Sequence, residues 1–111
     1  MILIMRQKGV TDYNLYERYT LLAFIAAEAT LGEPVCLETR IHKFFCVRCL
    51  IAEYLRHKGF QIKQIGNILK KHHSTVEHML DQIDVMKDWV EFRELRNKYI
   101  KTIKEYEGQN S

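Results

Sequence analysis

The run from Ile62 to Ile83 constrains this chain more than any other segment, because two apolar stripes of helical period flank a short basic interruption. Ile62, Ile65 and Leu69 recur at three- and four-residue spacing, and Val76, Leu80 and Ile83 do the same. Two stripes this close in sequence each need a cover, so the segments are expected to pack as a helix-turn-helix over roughly residues 61–85. Lys70-Lys71-His72-His73 stands between them. The second helix is expected to begin near His73 or Ser74, where Ser74-Thr75-Val76-Glu77 has the spacing of a capping box. Gly66 gives up about 1 kcal/mol of helix propensity against alanine, which predicts another helix crossing close to it.

With Val76, Leu80 and Ile83 turned inward, Thr75, His78 and Gln82 line the opposite face, and Lys71, His72, His73 and Ser74 stand at its amino end. A helix start carries free amides and partial positive charge, which suit phosphate, and recognition helices touch base edges with their amino-terminal residues. That end of the segment is therefore the candidate for entering a DNA groove.

Helical spacing of apolar residues continues through most of the chain, and the single proline stands at position 34. The expectation is all-α: one compact helical domain of about five to six helices spanning 1–111, with a tail at 1–11, a core at 12–104 and a second tail at 105–111. A first helix should run from Asp12 or Tyr13 to Leu31, stopped by Gly32 and Pro34. After a loop over Leu37–His42, a helix from Lys43 to Lys58 should bury Cys46, Leu50, Ile51, Tyr54 and Leu55, with Gly59 as its carboxyl cap. Val90–Tyr106 should form the last helix through Phe92, Leu95, Tyr99, Ile100 and Ile103, leaving Glu107–Ser111 frayed.

The formal net charge of +3 conceals a strong asymmetry. Arg40 to His73 carries eight Lys or Arg against the single acid Glu53, whereas each flank is net −2. Clustered cations mark a polyanion binder, since neutralising phosphates releases condensed counterions; a merely solvated basic face is the bland alternative. Met1–Met5 is too short for a secretory signal, and the apolar run Leu21–Ala27 stops at Glu28. The expected location is cytoplasmic and nucleoid-associated, without membrane partner or small-molecule substrate.

In order, Ile51-Ala52-Glu53-Tyr54-Leu55, Ile65-Gly66 and His73-Ser74-Thr75-Val76 resemble the C-terminal DNA-binding domain of DnaA, the bacterial chromosomal replication initiator, a Trp-repressor-like helix-turn-helix. The resemblance covers roughly residues 15–104, with Leu37 ahead of Arg40 and the closing-helix residues Phe92, Leu95 and Ile100 included. It implies double-stranded DNA binding in replication-origin or transcription control, with a protein partner of that machinery. By the same resemblance His73, Ser74 and Thr75 would meet bases and phosphates in the major groove, and the position of His72 at the amino end and of His78 on the outer face adds both as expected base readers. Lys63, Lys70 and Lys71 would meet phosphate, and Arg40 or Lys43 would belong to a basic loop near the minor groove. His72 departs from the family's usual aspartate, so the target sequence is expected to differ. The family's ATP-hydrolysing module has no counterpart, because the chain contains no Gly-rich Gly-Lys-Ser/Thr phosphate loop.

Other constellations compete with this reading. His42, Cys46 and Cys49 share a helical face and invite zinc, yet structural zinc needs four ligands and the fourth candidate, Cys36 or His57, is undefined. Cys46-Val47-Arg48-Cys49 lacks the strand-helix unit of a redox centre, so free thiols are expected. No nucleophile, paired carboxylate or orienting acid accompanies the histidines, and no enzyme activity, cofactor or metal is expected. Tyr13, Tyr16, Tyr19, Trp89 and Phe92 could stack on bases, but their spacing favours packing. A helical protein-interaction adaptor, using the Met1–Met5 segment or the tyrosine-rich first helix, is the alternative function.

Overall fold

Asp12 opens the first helix: its side chain accepts a hydrogen bond from the Leu15 amide at 3.1 Å, and the chain then runs helical over Tyr13–Leu31 (α1) until Gly32 turns left-handed at φ +76°. The computed structural model describes residues 9–109. Within them follow α2 (His42–His57), α3 (Ile62–Leu69), α4 (His73–Met86) and α5 (Val90–Gln109), with no strand among the described residues. The expected all-α architecture is therefore present, with five helices.

Helix α2 is the centre of the molecule, packed against each of the other four helices. Val47, Cys49, Leu50, Ile51, Ala52 and Leu55 are essentially fully enclosed, so the helix is buried around more of its circumference than the five predicted inward residues imply. It starts at His42, one residue before the expected Lys43. Its carboxyl end closes with a paired cap in which the Phe60 amide donates to Leu55 O and the Gly59 amide to Arg56 O, each at 3.1 Å. Gly59 at φ +96° permits that reversal, and Phe60 folds back into the core.

Helices α1 and α5 lie along one another on one side. Ala23, Ala26 and Ala27 have no exposed surface, and their small side chains let α5 approach closely enough for the Tyr99 hydroxyl to donate to Ala23 O at 3.0 Å. On the other side α3 and α4 cover each other and α2. Their stripes agree with the expectation except that Met79 is enclosed while Leu80 is half-buried. Ile62 is likewise only half-buried, with Ile65 and Leu69 fully enclosed.

Contacts hold both ends of the described residues. Val10 is tied down, because Gln64 Oε1 accepts from the Val10 amide at 3.1 Å while its Nε2 donates to Val10 O at 2.8 Å. The last helix continues through Gln109, and Glu107 is not frayed: its carboxylate accepts from the Tyr54 hydroxyl at 2.7 Å and pairs with Lys58 at 3.1 Å. The apolar Met1–Met5 segment lies outside the described residues, as do the last two residues of the carboxyl tail.

Candidate nucleic-acid interface

The turn between α3 and α4 is tightly built. Lys70 leaves α3 in the left-handed region at φ 58°, and the Lys71 amide donates back to Gly66 O at 2.8 Å. A Cβ on Gly66 would sit 2.6 Å from Lys71 O. The close approach foreseen at Gly66 is thus real, but its partner is the backbone of the turn and not a crossing helix.

His72 caps α4. Its Nδ1 lies 3.2 Å from the Ser74 amide and 2.7 Å from Ser74 Oγ, and its ring rests 4.2 Å from that of His73. The expected capping box between Ser74 and Glu77 does not form; the imidazole of His72, two residues before Ser74, takes the role. A capping box stands instead at the start of α3, where the Gln61 amide donates to Gln64 Oε1 at 2.9 Å. The signal was legible as a polar residue three positions after Gln61, but glutamine is a rarer opener than Ser or Thr.

His72, His73, Ser74, Thr75 and His78 are all exposed, with Lys63 and Lys70 exposed and Lys71 half-buried. No acid pairs with any of these side chains among the described residues. Further along α4 the exposed side chains include Glu77, Asp81 and Asp84, so the helix is cationic or neutral only at its tip. A polyanion approaching the length of α4 meets repulsion after the first turn; one approaching the tip does not.

The cationic segment is thinner in space than in sequence. Arg48 is only 5% exposed; its Nη1 donates to Cys36 O at 3.0 Å, and Nε has no partner among the described residues. Lys58 is held by Glu107 and lies over the rings of Tyr19 and Tyr54. Lys43 sits in the first turn of α2, not in a loop, where it pairs with Glu33 and covers Phe44. Arg40 remains exposed in the connection before α2. Arg96 of α5 grips the segment's single acid, Glu53, at 3.1 and 2.6 Å.

The competing constellations resolve differently. His42 Nε2 is 3.3 Å from Cys46 Sγ, but the next contact of that sulfur is Met86 Sδ at 4.0 Å, and Cys49 is enclosed in the core. No three His, Cys, Asp or Glu side chains gather as a metal site among the described residues. Burial foremost pushes the Cys49 thiol up to about 12, and burial with nearby Glu91 raises that of Cys46. Tyr16 and Tyr19 pack on Phe60, and Phe92 is buried, so these rings serve the core. Trp89 is about half exposed and borders a groove of about 610 Å³ with His42, Val90 and Leu95. No helix among the described residues is long and apolar enough to cross a membrane. No protein-family model, curated protein or solved structure matches the chain.

Proposed function

We propose that this protein is a non-enzymatic binder of double-stranded DNA, in which α3 and α4 act as a helix-turn-helix of the DnaA C-terminal kind and the tip of α4 enters the major groove. The observation that carries the reading is the exposed, acid-free start of α4, ordered by its own cap and preceded directly by Lys70 and Lys71, with Lys63 exposed on α3. Lysine ammonium groups there meet phosphates and set register, while His72, His73, Ser74, Thr75 and His78 read bases. Arg40 extends the contact towards the neighbouring groove; Lys43, engaged by Glu33, contributes little. Control of replication origins or of transcription is the setting, in the cytoplasm and on the nucleoid.

Selection from random duplexes, with affinity then followed against salt, tests this. Replacing His73 or Thr75 by alanine should erase preference at single positions at about 1–3 kcal/mol each. Lys71→Ala should weaken all duplexes alike, because a phosphate contact carries no base information. Equal losses for both kinds of variant would refute the division of roles.

The adaptor reading draws on a different observation: Tyr13 and Leu21 of α1, Ile41 before α2, and Trp89 and Val90 on the groove are large, apolar and exposed. Absence of any salt-dependent duplex affinity would favour it.

A further inference from the structure

We propose that His72 is a fixed hydrogen-bond donor in the groove, which reads an acceptor on a base edge, guanine foremost, and rejects cytosine. The inference rests on the duplex-DNA reading above and deepens it by assigning one base preference to one side chain.

Two contacts meet at His72 Nδ1: the Ser74 hydroxyl at 2.7 Å and the Ser74 amide at 3.2 Å. A hydroxyl donates or accepts, so the first contact leaves the imidazole tautomer open. An amide N–H only donates. Nδ1 must therefore present its lone pair to the start of α4, and in a neutral imidazole the single N–H is then on Nε2. A proton on Nδ1 would point at the Ser74 amide proton and leave the helix start without its cap.

The ring's orientation follows from the same contacts. Nδ1 is turned onto the backbone of α4, the His73 ring lies against its face at 34°, and His72 is exposed. Nε2 occupies the opposite edge of the five-membered ring, so its N–H points away from the helix. Among bases in the major groove, guanine offers two acceptors, N7 and O6, whereas cytosine presents the N4 amino donor. A fixed donor is satisfied by the first and leaves two donors facing each other at the second. Adenine and thymine, with one acceptor each beside a donor or a methyl group, fall between.

The test uses the full chain and the duplex that selection identifies. His72→Asp keeps a residue that caps helix starts well, so the fold should survive, which helix content by circular dichroism checks. Because aspartate only accepts, one position of the site should change its preferred base from guanine to cytosine, with relative affinity for the two duplexes inverting by about tenfold or more. Nitrogen-15 NMR of the free protein at pH 8 should show the proton of His72 on Nε2. Finding it on Nδ1, or an unchanged base preference in His72→Asp, would overturn the inference while leaving DNA binding intact. Failure of the wild-type chain to bind any duplex would remove the DNA reading itself, and this assignment with it.

Discussion

Gly66 illustrates how a single residue can be anticipated for a partly mistaken reason. A glycine inside an amphipathic helix signals a close neighbour, and the neighbour is Lys71 O, which a Cβ would approach to 2.6 Å. Backbone of a capped turn has little room to yield, so Gly66→Ala should lose more by overpacking, about 1–3 kcal/mol, than the roughly 1 kcal/mol it gains in helix propensity. A lower urea midpoint with unchanged slope would bear this out; a stabilised variant would show the turn to be pliant. At the same scale, Lys70 occupies a left-handed position where most side chains are strained. Lys70→Gly should raise stability by up to ~1 kcal/mol while weakening DNA binding, which separates the residue's two roles.

Among the elements, α5 departs furthest from its reading in the sequence, because its last turn has no apolar stripe to announce it. What holds that turn is long-range: Glu107 takes the Tyr54 hydroxyl and Lys58 from α2 and the residue after it. Burial of the Glu107 carboxyl acts to raise its pKa, but the hydrogen bonds from Tyr54 and Lys58 and the charges of Lys58 and Arg18 outweigh it, and the net shift is downward. A carboxyl with a depressed folded pKa stabilises above the ordinary glutamate range near 4.3 and loses that contribution as pH falls through the folded value. Glu107→Gln should therefore flatten the acid side of the stability profile while costing less than about 1 kcal/mol at pH 7, as partly exposed pairs do. Denaturant midpoints from pH 7 down to pH 3 measure both effects, and an acid limb identical to wild type would contradict the assignment.

For the whole molecule, charge counting along the chain and charge in space diverge. Of the eight cations between Arg40 and His73, Arg48 is enclosed, Lys43 and Lys58 are paired with acids, and Arg56 donates to Phe60 O, leaving Arg40, Lys63, Lys70 and Lys71 as the cations whose side chains have neither an acid nor a hydrogen-bond acceptor as partner among the described residues. If those four carry the phosphate contacts, log affinity against log salt should slope no more steeply than about −4. A slope near twice that would mean the internal pairs open on binding. Helix order, the starts of α1 and α4, the Gly59 cap and most of the core were legible because each depends on local periodicity and capping chemistry, which act within a few residues. The exposure of His72 to Thr75 followed from the same period. Which cations are silenced by Glu33, Glu107 and burial, and how α5 is anchored at Glu107, were decided only by the tertiary structure. Hydrogen bonds and ion pairs between elements depend on distances that no sequence spacing encodes.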